Sequence, residues 1–147
     1  MMDPNESAAT QAGVIPFLRE GGKLKVVIIT NRRGDRWLVP KGDKEKDLST
    51  QESAMNEAFE EAGLIGVPHP HPSGHYVRRP KSKKPVEVEM YPFQVEHLLS
   101  EWPERRYRKR RIVGYRRAAQ VVRPKSLGKL IFETCQQLEE EERQVGP

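Results

Sequence analysis

Residues 37 to 64 constrain this chain more than any other stretch. Trp37-Leu38-Val39-Pro40-Lys41-Gly42 reads as a strand running into a loop. Ser49-Thr50-Gln51-Glu52 then fits a capping box, with Ser49 as N-cap and Glu52 at N3. Gly63 suits the left-handed residue that closes a helix. These signals predict a helix over residues 50–62. Glu57, Glu60 and Glu61 are spaced i, i+3, i+4, so they are neighbours on one face of it. Ala54, Ala58 and Ala62 lie on another line, with Met55 and Phe59 beside it, and give the helix an apolar face.

Like charges at that spacing repel, by a few tenths of a kcal/mol per pair when exposed. A divalent cation removes the repulsion, and hard divalent cations prefer carboxylate and carbonyl oxygen. The bland alternative is a solvated acidic helix face. The glycine-containing loop before the helix, with Lys41 beside Gly42, weighs toward an anion-handling metal site.

The segment resembles the signature box of the Nudix hydrolases, G-x5-E-x7-R-E-U-x-E-E-x-G-U, where U is a bulky aliphatic. Gly42, Glu57, Glu60, Glu61, Gly63 and Leu64 fall on their positions at the right spacing. Ala58 fills the first aliphatic position with a smaller side chain. Two positions depart: Leu48 replaces the first glutamate and Asn56 the arginine. In the family that arginine helps to orient the glutamates, so its loss implies weaker metal affinity with activity retained.

The length suits one domain with a real core. The expected organisation is a flexible tail at 1–11, a single domain at 12–142 with the box at 42–64, and a loose end at 143–147. A formal charge of +5 favours an anionic partner. The single cysteine, Cys135, excludes an internal disulfide and fits a reducing compartment. No signal peptide and no membrane-spanning run are recognised, so the expected location is cytoplasmic.

Strands are expected at Gly13–Leu18, Leu24–Thr30, Trp37–Val39, Tyr76–Arg79, Val86–Val95 and Ile112–Tyr115. Val26-Val27-Ile28-Ile29 suits a strand buried on both faces. Ile65 to His75 is proline-rich and reads as a loop. Its His69, His71 and His75 invite a zinc reading, but no cysteine is near and prolines fit an ordinary loop. A short helical turn is expected at Arg117–Val121. Leu127, Leu130, Ile131, Cys135 and Leu138 recur at helical spacing and predict a C-terminal helix with one face on the core. Cys135 lies on that stripe as a core residue, with no activating partner. Interleaved strands and helices make the class α/β (α+β). The resemblance implies the finer picture, a mixed sheet sandwiched between helices.

A pyrophosphate linkage resists attack because negative oxygens shield its phosphorus; metal neutralises that charge and activates water. Arginine holds flanking phosphates by bidentate contact. Glu57, Glu60 and Glu61 are the candidate catalytic and metal-binding residues. Glu57 and Glu61 are the main ligands and Glu60 a direct or water-mediated one, for Mg2+ or Mn2+. The family also uses the main-chain carbonyl before the box glycine, here that of Lys41. Arg32, Arg36, Lys41, Gly42 and Arg110 are the candidate substrate-binding residues. Three basic groups, at 32–36, 81–84 and 105–111, favour a ligand with several adjoining phosphates.

Weaker likenesses add to this: a basic turn before Trp37, Trp102-Pro103-Glu104 before a basic stretch, and the terminal helix. They are similar to the branch holding diphosphoinositol polyphosphate and diadenosine polyphosphate hydrolases. The alternatives are a catalytically weak phospholigand-binding module, an RNA 5′-pyrophosphohydrolase, and an ADP-ribose or nucleotide-sugar pyrophosphatase. RNA is not favoured, since beyond Tyr107 no aromatic stacking platform is evident.

Overall fold

The computed structural model describes residues 10–81 and 83–145. Eight strands form one sheet: β1 (Gln11–Glu20), β2 (Lys23–Thr30), β3 (Trp37–Leu38), β4 (Lys41–Asp43), β5 (Leu64–Pro68), β6 (Gly74–Arg78), β7 (Val86–Leu98) and β8 (Arg110–Gly114). Three α-helices accompany them: α1 (Thr50–Ala62), α2 (Tyr115–Val121) and α3 (Lys125–Val145). The main strand order is β3-β2-β1-β7-β5, with β4 on β1, β6 on β7 and β8 on β2.

The central strand β1 runs parallel to β7 from Gln11↔Val88 to Phe17↔Gln94. Its other edge is divided. The last four residues pair antiparallel with β2, through a turn at Gly21 and Gly22, both with positive φ. The first three pair with β4, as Ala12↔Gly42 and Gly13↔Lys41. This split seats Lys41 and Gly42 in the middle of the fold, under α1.

Side chains alternate across the sheet and fill two cores. On one face, Val26 and Ile28 of β2 and Val88 and Met90 of β7 pack with Leu127, Ile131, Cys135 and Leu138 of α3. On the other, Val27, Ile29, Tyr91 and Phe93 pack against Ala54, Ala58 and Ala62 of α1. β2 is therefore buried on both faces, as its unbroken β-branched run indicates. Each fully buried Ile or Leu contributes about 1.5–3 kcal/mol. Cys135 is fully buried, and burial pushes its thiol up to about 12, so it is an inert core residue.

Four expectations are corrected. Met55 and Phe59 do not join the core; they are 37% and 40% exposed and border a shallow cleft with Ile65. Ala54, Ala58 and Ala62 are the α1 side chains that pack into the apolar core, where small side chains let the helix approach the sheet closely. The stretch 65–75 is not all loop: β5 pairs with β7, with a bulge between Ile65 and Gly66. Gly66 is required there, since a Cβ would lie 2.1 Å from the Gln94 carbonyl oxygen. α3 continues through residues 143–145, which were expected to be loose. Glu, Gln and Arg are good helix formers and extend it. At the other end, Gln11 already belongs to β1. The rest of the expected tail, 1–9, and residues 146–147 lie outside the described residues. No described helix is long and apolar enough to cross a membrane.

Candidate active site

Helix α1 carries the acids, and both of its ends are tied. Ser49 Oγ accepts from the Glu52 N–H at 3.0 Å, and Glu52 Oε1 accepts from the Ser49 N–H at 3.0 Å. Such a cap is worth about 1 kcal/mol. The last carbonyls of a helix need outside donors, and the segment after β7 supplies them. The Glu104 N–H donates to the Glu60 carbonyl at 3.0 Å and Trp102 Nε1 to that of Glu61 at 3.0 Å. Arg110 Nη1 donates to the Ala62 carbonyl at 2.8 Å and the Leu99 N–H to that of Gly63 at 2.9 Å. The Arg110 guanidinium also stacks 4.2 Å from the Trp102 ring centre. Gly63 has φ 65°, and a Cβ on it would meet Trp102 at 2.9 Å.

The carboxylates face β4. A Cβ on Gly42 would stand 2.3 Å from the Glu57 carboxyl carbon, so glycine leaves the space that Glu57 fills. Glu61 Oε1 accepts from the Lys41 N–H at 3.1 Å, and its Oε2 accepts from Arg108 Nη2 at 3.1 Å. The Glu61 and Arg108 side chains are both 8% exposed. Burial, then the charges of Glu61 and Glu60, push Glu57 up to about 8, and it hydrogen-bonds to Glu61. Glu61 is also raised, by burial, against the opposing pull of Arg108 and Lys41. Glu60 is half-buried beside them, and its charge is one of those that raise Glu57.

The candidate substrate residues divide. Arg36 and Lys41 line a cavity of about 400 Å³ together with Tyr76, Arg78, Arg79 and Arg123. Lys41 joins that cavity to the acids, since its main chain is bonded to Glu61. Burial, then Arg78, lower its ammonium from the usual value, while Glu61 pulls it back up. Arg32 is exposed, donates to Glu104 Oε1 at 3.3 Å and stacks 4.9 Å from the Tyr107 ring. Arg110 serves the end of α1, as described, and does not line the cavity. Lys81, Lys83 and Lys84 are exposed; from their hairpin it is Arg78 and Arg79 that reach the cavity.

Residue patterns alone missed four groups. Arg78, Arg79 and Arg123 sat in unremarkable strand and turn positions, and only the fold brings them to Lys41. Glu104 was visible in Trp-Pro-Glu, but not that its charge would add to those of Glu57 and Glu61. In the histidine stretch, His69 packs edge-on against Phe17, and His75 Nε2 pairs with Glu87 Oε1 at 2.9 Å. Among the described residues no three His, Cys, Asp or Glu side chains are gathered closely enough to hold an ion as they stand. The donor set nevertheless fits a divalent cation chemically. Glu57 and Glu61 are hydrogen-bonded carboxyls, both partly desolvated, and both titrate above the usual carboxylate range. Oxygen donors of this kind suit a hard divalent cation.

A mixed sheet between helices, with a carboxylate helix over the glycine of β4, defines the Nudix class of domain. Comparison with known proteins agrees. The chain is 32% identical over 129 residues to Nudix hydrolase 12, mitochondrial, of Arabidopsis thaliana, covering 82% of this chain and 63% of that protein. It is 32% identical over 114 residues to Nudix hydrolase 17, mitochondrial, of the same plant, covering 72% and 62%. The chain thus spans less than two thirds of the length of these relatives. A C. elegans Ap4A hydrolase binary complex superposes with a TM-score of 0.70 at 18% identity, covering 88% of this chain and 97% of that one. A NUDIX hydrolase from Nitrosomonas europaea superposes at 0.69 with 15% identity, covering 86% and 88%. At such identities the structures speak for the fold. No family model matches the chain. The chain belongs to the Nudix hydrolase family.

Proposed function

We propose that this protein is a divalent-metal-dependent pyrophosphohydrolase whose substrate is a small molecule with several adjoining phosphates. Diadenosine polyphosphates and diphosphoinositol polyphosphates are the favoured classes. One observation carries the reading: a cavity lined by Arg36, Arg78, Arg79, Arg123 and Lys41 is joined through Lys41 to the Glu57–Glu61 pair. Arg36, Arg78, Arg79 and Arg123 bring four positive charges to the walls of about 400 Å³, and a ligand carrying many negative charges complements them. A nucleoside diphosphate sugar carries about two charges and complements fewer of them. The similarity to an Ap4A hydrolase fold is compatible with this choice.

Glu57 and Glu61, with Glu60 directly or through water, are the residues that would hold Mg2+ or Mn2+, together with the Lys41 carbonyl. When bound, the ion supplies charge neutralisation at phosphorus and a water of lowered pKa. Arg36, Arg78, Arg79 and Arg123 bind the phosphates that flank the scissile linkage. The Lys41 ammonium sits between the acids and the arginines and neutralises the linkage itself. Gly42 leaves room for the Glu57 carboxylate.

A substrate panel tests the proposal. It compares diadenosine tetraphosphate, a diphosphoinositol polyphosphate, ADP-ribose, a nucleoside triphosphate and 5′-triphosphate RNA, with Mg2+ and with Mn2+. Exposed attractions are screened within about 10 Å at 0.1 M salt. The KM for the two polyphosphate classes is expected to rise steeply with ionic strength. Preferred hydrolysis of ADP-ribose with a salt-independent KM would refute the polyphosphate assignment.

A further inference from the structure

Glu61 is almost fully buried, and a carboxylate in that position needs a partner of opposite charge. The helix does not provide one. Position 56 carries an asparagine, and its amide donates outward to Glu45 Oε2 at 3.1 Å. The partner comes from the segment before β8. Arg108 Nη2 reaches Glu61 Oε2 at 3.1 Å, its Nε donates to Glu104 Oε1 at 3.1 Å, and its Nη1 donates to the Thr30 carbonyl at 3.0 Å. Three directions of one planar guanidinium are therefore fixed by three different elements. Thr30 Oγ1 accepts from the Lys109 N–H at 2.9 Å and locks the same turn.

We propose that Arg108 is the positioning residue of the acid site: it clamps Glu61 in one orientation from outside the acidic helix, a task Asn56 leaves undone. The inference rests on the metal-dependent reading above. Glu61 is gripped at both oxygens, by the Lys41 N–H and by Arg108, so its carboxylate plane is set relative to Glu57 before any ligand arrives. The alternative use of an arginine here is to grip phosphate. Arg108 is badly placed for that, because its side chain is 8% exposed and its donors are engaged. Arg105, Arg106 and Arg111 of the same run are exposed.

The test uses the full chain with Arg108→Gln and Arg108→Lys. Two readouts are taken: Mn2+ affinity without substrate, by calorimetry, and the separate kcat and KM for diadenosine tetraphosphate with Mg2+. A shift of about 1 Å in a catalytic group can cost about 100-fold in rate. Arg108→Gln is expected to bind Mn2+ about as tightly as the wild type, because losing the orientation of Glu61 and losing a nearby cation act in opposite directions. Its kcat should fall at least about tenfold, with KM nearly unchanged. Arg108→Lys keeps the charge but not the three-way geometry, so it should fold like the wild type and still turn over more slowly. If Arg108→Gln does not fold, the lysine variant carries the comparison.

A KM that rises with kcat preserved would make Arg108 a phosphate contact and overturn the inference. Wild-type kcat in the lysine variant would overturn it too, as would loss of Mn2+ binding and turnover together in both variants. Absence of Mn2+ binding and of turnover in the wild type would instead refute the metal-dependent reading, and this inference with it.

Discussion

Replacing Glu57 by glutamine separates the electrostatics of the acid site from its catalysis. Glutamine has nearly the same shape and can donate to Glu61 as the protonated acid does. Glu57 titrates near 8 in the folded protein, against an ordinary 4.5. The folded state therefore holds a proton that the unfolded chain releases between those two values. Stability linked to this group is fully present below about pH 4.5 and falls as pH rises to about 8, then levels off. At about 1.4 kcal/mol per pH unit the unscreened figure is about 5 kcal/mol. The carboxyl is only half-buried, so solvent screening reduces this to about 2 kcal/mol. For a chain of this length about 0.35 kcal/mol corresponds to one degree of melting temperature, so the effect is about 6 °C.

The assay is a calorimetric melt with chelator, from about pH 5 to about pH 8.5. Wild type and Glu57→Gln are expected to melt together at the acidic end. At the alkaline end the variant should melt about 6 °C higher. Divalent ion should then raise the wild-type midpoint more than that of the variant, because the ion replaces the missing countercharge. Parallel curves for the two proteins across the whole range would refute the claim that Glu57 sits in an over-acidic, desolvated pair.

Gly42→Ala would place a methyl group 2.3 Å from the Glu57 carboxyl carbon. Turnover is expected to drop at least about tenfold with a modest loss of melting temperature, measured by steady-state kinetics alongside a melt. Arg36→Glu and Arg123→Glu reverse charge in the cavity; each should raise the KM for diadenosine tetraphosphate about tenfold, and that for ADP-ribose much less. Arg110→Ala removes both the donor to the Ala62 carbonyl and the stack on Trp102. It should destabilise the fold by about 2–3 kcal/mol, seen in denaturant unfolding, with no specific effect on KM.

The helix α1 was legible to the residue because its signals are local. Ser49, Glu52 and Gly63 act within one turn of the chain, and the alanine line depends only on helical period. β2 was legible for a similar reason, since four consecutive β-branched residues leave few other solutions. β5 was not. A short edge strand with Gly66, Pro68 and a bulge has no alternation to read, and its glycine answers to a carbonyl on β7.

The site divides along the same line. Glu57, Glu60 and Glu61 share a face by spacing alone. The basic run at 105–111 showed its charge but not its allocation. Its members go to different tasks: Arg108 to Glu61, Arg110 to the end of α1, and Arg111 to a stack 5.6 Å from the Trp37 ring centre. Those choices are made by tertiary contacts across some fifty to eighty residues of sequence, as the partners Glu61, Ala62 and Thr30 show. The cavity arginines Arg78 and Arg123 come together through β6 and the turn before α3, a neighbourhood set by the fold as a whole.

The most direct test of the central claim is the rate of diadenosine tetraphosphate hydrolysis by wild type, Glu57→Gln and Glu61→Gln, with Mg2+ or Mn2+ and with chelator. The wild type is expected to turn over only with divalent ion, and each variant to lose roughly 100-fold or more while remaining folded. Undiminished turnover by both variants, or wild-type activity that persists in chelator, would contradict it.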